Sequence, residues 1–158
     1  MAVDMFLKID GVEGESRDET HQKEIDILSW SWGVNQSTAA SGAGGASAGK
    51  VSVHDFSFVH HVDKASPKLM SAACTGRHFP EATLAVRSSA PDFEQVTAQA
   101  AARKDFLIVK MTDVLVTSVS PGGSSGREDS VMEAVSLTFS KMELQYTAND
   151  QVVVGSTC

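Results

Sequence analysis

Glu24-Ile25-Asp26-Ile27-Leu28-Ser29-Trp30-Ser31-Trp32-Gly33-Val34-Asn35 alternates large apolar residues with small polar ones. Successive side chains of an extended strand point to opposite sides. Leu28, Trp30, Trp32 and Val34 therefore share one face, and Ser29, Ser31 and Gly33 the other. The stretch reads as a strand with a greasy side and a smooth polar side. Met5 to Ile9 has the same period, with Met5, Leu7 and Ile9 against Phe6 and Lys8, and is expected to be the first strand. A polar, glycine-punctuated loop follows at 11–18.

Downstream the apolar phase changes within strands. Val51 and Val53 lie on one parity, Phe56 and Phe58 on the other, and Val135-Leu137-Phe139 gives way to Met142-Leu144-Tyr146. Both changes imply a bulge or bend of the kind found at barrel corners. Strand character also marks 82–86 and is strongest at 106–119, where apolar residues occupy both parities; this is read as a strand buried on both faces. Pro121 to Gly126 reads as a turn. One helix is expected between Ser66 and Thr75, with Ser66 at the N-cap, Pro67 at the first helical position and Gly76 beyond the end. Its apolar stripe would be Leu69, Met70 and Ala73. These signals describe an all-β chain, a compact β-barrel or sandwich with one α-helix packed against it, forming a single domain over 1–158.

With 158 residues, 42% of them apolar and 21% charged, the chain can bury a core without metal or disulfide staples. A net charge of −7 and the lack of a basic stripe argue against a nucleic-acid partner. No apolar run approaches the roughly 18 residues of a membrane-spanning helix, so no membrane insertion is expected. The opening residues lack the basic-then-apolar pattern of a secretory signal. Cys74 and Cys158 are not spaced as a metal or redox pair.

Four chemical readings compete with plainer ones. Gly44 to Lys50 matches most of a phosphate-binding loop, but Val51 replaces the magnesium-binding hydroxyl and the lysine leads into a strand instead of a helix. His54, His60, His61, Asp55 and Asp63 lack metal-ligand spacing, since adjacent His60 and His61 point to opposite faces; surface or interface histidines are expected. No Gly-x-Ser-x-Gly nucleophile is present, and Cys74 reads as a small packed hydrophobe. No enzymatic activity and no cofactor are expected. Trp30 and Trp32 suit a core or an interface, although a lectin-like or other ligand-binding β-sandwich stays open as an alternative.

Several stretches carry a family resemblance. Met1 to Val12 with Gly14-Glu15-Ser16, Glu24 to Gly33, Gly49-Lys50-Val51, Asp55-Phe56-Ser57-Phe58, Asp63 to Pro67, Asp113 to Val119 and Glu133 to Phe139 resemble, in order, the haemolysin-coregulated proteins of type VI secretion systems. The resemblance implies a barrel subunit that forms hexameric rings stacked into a hollow tube, self-assembled inside a contractile sheath and expelled with its spike. Implied partners are other copies of the chain, the spike protein VgrG, the sheath and baseplate, and small effector proteins in the lumen. The chain would be cytoplasmic during assembly and then secreted without a signal peptide. Two departures stand out. The 91–103 stretch is longer than the connection expected in the family, with Asp92 and Gln95 suited to capping a brief helix through Gln99, and with the sequence stopping at Cys158 no appended toxin domain is expected.

Three roles follow as expectations. Ser29, Ser31 and Gly33 would face the lumen and contact effectors, because small polar side chains keep a channel open. Ser41, Gly42, Gly44, Gly45, Ser47 and Gly49, within a flexible 37–49 loop, would reach a neighbouring subunit or the next ring. Phe106, Ile108, Val114 and Val116 would form the lateral ring interface.

Overall fold

The computed structural model describes residues 2–39, 47–88, 104–126, 131–148 and 151–157. Mostly β-sheet with one helix packed against it, the fold runs β1 (Val3–Ile9), β2 (Ile25–Asp26), β3 (Ser29–Ser31), β4 (Val34–Ala39), β5 (Ser47–Val53), β6 (Phe56–His61), α1 (Ser66–Thr75), β7 (His78–Ser88), β8 (Asp105–Gly123), β9 (Val131–Thr138), β10 (Lys141–Ala148) and β11 (Gln151–Ser156). All pairings are antiparallel. The main sheet runs β2-β1-β7-β8-β9-β6-β3; β10 also pairs with β8 and carries β11 on its far side, while β4 and β5 form a separate ribbon.

Strand β8 organises the sheet. Its second half pairs with β9 (Leu115 opposite Thr138) and its first half with β10 (Thr112 opposite Lys141). β9 and β10 thus run in one direction along one edge of β8, broken only at Phe139–Ser140. Core residues change parity there on both partners: Val109 and Met111 give way to Val114 and Val116 in β8, and Val135 and Leu137 give way to Met142 opposite. Asp113 takes a positive φ of 54° at the break, a conformation short polar side chains tolerate best. The expected bend near Ser140 is present. Both-parity apolarity in 106–119, however, records this phase switch and not a strand buried on two faces. β8 also continues through Pro121 to Gly123, and within the expected 121–126 turn only Ser125–Gly126 has turn geometry.

The stretch 24–35 is not one strand. Ile25 and Ile27 are buried while Leu28 and Val34 are exposed, and Trp30 and Trp32 are half-buried against the core. The phase switches at Leu28, dividing the stretch into β2, β3 and the start of β4. In β1, Phe6 is buried along with Leu7 and Ile9, because the 11–24 loop folds over it. His21 stacks on the Phe6 ring with centroids 4.5 Å apart, and the Arg87 guanidinium lies 5.0 Å over it. Gly14 permits that fold: a β-carbon there would overlap the Glu24 carbonyl.

Helix α1 matches its expected span, with Gly76 left-handed (φ 69°) and its amide bonded to the Ala72 carbonyl at 3.0 Å. Ala65, not Ser66, occupies the cap; Ser66 is in the first turn and its hydroxyl accepts the Asp63 amide at 3.1 Å. The buried stripe is Ser66, Leu69 and Ala72, while Met70 is 57% exposed. Beneath it lies a core of Leu7, Phe56, Phe58, Phe79, Leu84, Met111 and Leu137, each worth about 2–3 kcal/mol on burial.

Candidate lumen face and assembly edges

On β3, β6, β9 and the second half of β8, a central group of residues facing away from the core is small, flanked by the larger Val59, His61, Met132 and Leu115. Register aligns them across the strands: Ser31 opposite Ser57, Ser57 opposite Ser136, Ser136 opposite Ser118. The Ser57 and Ser136 hydroxyls bond at 3.0 Å. A second row joins Ser29, Val59, Ala134 and Ser120. The opposite side carries Phe56, Phe58, Val135 and Leu137 in the core, with Trp30 stacked on Phe56 at 6.0 Å, so the face has a rigid backing. Ser29 and Ser31 are exposed, and a β-carbon at Gly33 would meet only the His54 ring, at 3.9 Å. All three expected face residues stand in one surface. Ser57, Ser118, Ser136 and Ser120 join them; alternation in Phe56-Ser57-Phe58 and Val135-Ser136-Leu137 carried that signal.

The small-residue sheet ends in open edges among the described residues. β3 pairs only with β6, and β8 beyond Val116 only with β9. Pro121, which lacks an amide donor, is tolerated at such an edge. The described ends of the 37–49 stretch, 37–39 and 47–49, are ribbon, β4 against β5, and a β-carbon at Gly49 would overlap the Ser37 carbonyl. Ser47 and Gly49 lie in β5; Ser41, Gly42, Gly44 and Gly45 lie outside the described residues, as do Asp92, Gln95 and Gln99.

Of the four lateral-interface residues, Val114 and Val116 are 0% and 3% exposed. Their side chains pack in the chain's own core because they follow the phase switch, so they are unavailable to a neighbour. Phe106 and Ile108 precede the switch and are half-buried. The Phe106 ring meets Tyr146 edge-on at 6.4 Å. Next to Tyr146, β11 is exposed along its whole length, including Val152, Val153 and Val154. An apolar edge strand with no charge or proline to blunt it is the kind that natural proteins cover.

The family model described as "Type VI secretion system effector, Hcp" matches residues 6–146. The chain belongs to the Hcp family. It is 47% identical to protein hcp1 of Pseudomonas aeruginosa over 146 residues, covering 92% of this chain and 84% of that one. Its fold is similar to the crystal structure of Hcp1 from Salmonella typhimurium, with a TM-score of 0.80 and 38% identity over 99% of this chain and 94% of that one. It is also similar to a type VI secretion system effector from Yersinia pestis, with a TM-score of 0.77 and 34% identity over 98% of each chain. As an Hcp-family chain it is a structural tube subunit of the type VI secretion system with a role in effector delivery, and not an enzyme.

The remaining polar groups hold the Hcp-family fold together. His60 is fully buried in the chain's own core, where a surface or interface placement was expected, whereas His61 is exposed. His60 Nε2 donates to Glu133, directly across the strand pair, at 2.9 Å, and Nδ1 lies 3.8 Å from Asp63, an ion-pair contact too long for a hydrogen bond. Burial pulls the His60 pKa down, but Asp63 and Glu133 outweigh it and hold the value raised. His21 is raised likewise, its burial outweighed by Asp105 and Glu24. Arg87 donates two hydrogen bonds to Asp18, and its guanidinium holds that carboxyl well below the usual range. Among the described residues no group of His, Cys, Asp and Glu could hold a metal. Lys50 extends in β5, without a helix to cradle phosphate. Cys74 is exposed on α1 and not packed, because it falls off the Leu69–Ala72 stripe.

Proposed function

We propose that copies of this chain close into hexameric rings whose inner wall is the Ser31–Ser57–Ser136–Ser118 face, and that the rings stack into a hollow tube carrying small effector proteins. The aligned hydroxyl row carries this reading: it is wet, free of large side chains and backed by a packed core, as a channel wall must be. Each subunit's sheet closes as a barrel through 25–31. Ile27 donates to the Met5 carbonyl of β1, and Leu28 to the Val59 carbonyl of β6, both at 2.9 Å. Phe106, Ile108 and the exposed edge of β11 form the lateral contact, repeated around the ring. The β4–β5 ribbon, together with the rest of the 37–49 stretch (Ser41, Gly42, Gly44, Gly45, Ser47 and Gly49), reaches a neighbouring subunit or the next ring. The tube assembles in the cytoplasm within the sheath and baseplate, capped by the spike protein VgrG, and is expelled with it.

Replacing Ser31 with arginine tests the face. Effector loading should fall while ring mass is unchanged; loss of rings would instead place Ser31 in a subunit contact.

A further inference from the structure

At the head of the small-residue face the chain bends twice, at Trp32–Gly33 and at His54–Asp55, and the His54 amide donates to the Gly33 carbonyl at 2.8 Å. The paired bends open a groove of about 400 Å³ lined by Ser31, Trp32, Gly33, His54, Asp55 and Ser57. Its one carboxylate is anchored, since the Thr117 hydroxyl donates to Asp55 at 2.7 Å. The His54 ring is held by the Asn35 side chain at 2.9 Å. Among the described residues no lysine or arginine lines the hollow.

We propose that this groove is a subsite for an arginine side chain presented by cargo; the inference rests on the face being the lumen wall. A guanidinium is planar and permanently charged. It can stack on the Trp32 indole, direct two N–H groups at the Asp55 carboxylate and leave others for the Ser31 and Ser57 hydroxyls. Gly33 brings no side chain to the lining, so a flat group can lie close to the backbone there. An ammonium lacks the planar match, and an acidic side chain meets Asp55 as a like charge. Repetition around a ring multiplies a weak single-site affinity for cargo carrying several arginines.

The test is an NMR titration of the isotopically labelled chain with N-acetyl-arginine amide, and with the neutral isostere N-acetyl-citrulline amide as control. Saturable shifts are expected at Gly33, His54 and Asp55. The response should weaken about ten-fold with the citrulline probe and in Asp55→Asn, as loss of a charge-assisted hydrogen bond requires. Asp55 is exposed, so the variant keeps its fold. Undiminished arginine binding to Asp55→Asn, or shifts centred elsewhere, overturns the proposal. Repeating the titration on assembled rings separates the two readings. No response in either dispersed chains or intact rings sinks the subsite and spares the lumen assignment, whereas binding seen in dispersed chains but lost in intact rings sinks the lumen assignment and spares the subsite.

Discussion

Ser140 donates both its backbone amide and its hydroxyl to the Thr112 carbonyl, at 3.0 and 3.1 Å. The two donations pin the point where β8 and the β9–β10 run change parity together, next to Asp113 at φ 54°. Two long strands can wrap round one core only if they bend in step. Ser140→Ala should cost about 1 kcal/mol, the usual worth of one hydrogen bond. Ser140→Pro, which also removes the amide donor, should cost clearly more. Urea unfolding measures both, and equal effects would show that the amide contributes nothing to the corner.

The buried histidines set a pH dependence. Their folded pKa values are raised above the ordinary value near 6.5. The stabilisation is therefore complete below about pH 6.5 and lost as pH rises through the folded values. Unfolding free energy should decline on the alkaline side, and His60→Gln should flatten part of that slope. The same variant leaves Glu133 buried, at 3% exposure, without its ion-pair partner, a change that costs about 3–5 kcal/mol. An unchanged slope in the variant would remove His60 from the account.

Val153 is 65% exposed on the outer strand, so Val153→Lys should leave the isolated chain's stability within about 0.5 kcal/mol. A lysine on an edge strand blocks pairing with another chain. Ring mass by native mass spectrometry should collapse while the melting of the dispersed chain stays constant. Intact rings would move the lateral contact away from β11.

Gly49→Val addresses the ribbon. Because a β-carbon would overlap the Ser37 carbonyl, β4 and β5 must separate. Among the described residues the core contains none from the ribbon, so circular dichroism should change little while stacked tubes disappear from electron micrographs. Normal tubes would show that the ribbon does not mediate stacking.

Much of this was legible in the residues. Phase changes at 53–56 and 139–142 announced two bends, and Pro67 with Gly76 bounded the helix. The switches at Leu28 and at Thr112–Asp113 were harder to see, since apolar residues continue on both sides and mimic a single uninterrupted strand. That ambiguity placed Val114 and Val116 on the wrong side of the sheet. Ser31 was readable from its alternating neighbours, but its alignment with Ser57, Ser136 and Ser118 depends on register between strands far apart in sequence. His60 reads from the sequence as a surface or interface histidine because its partner Glu133 meets it only after β6 pairs with β9.

Light scattering on the purified chain tests ring formation most directly. The account requires a particle with the mass of a hexamer of the 16.7 kDa chain, with Val153→Lys reduced to a monomer. A wild-type chain that remains monomeric at every concentration would contradict both the ring and the lumen it encloses.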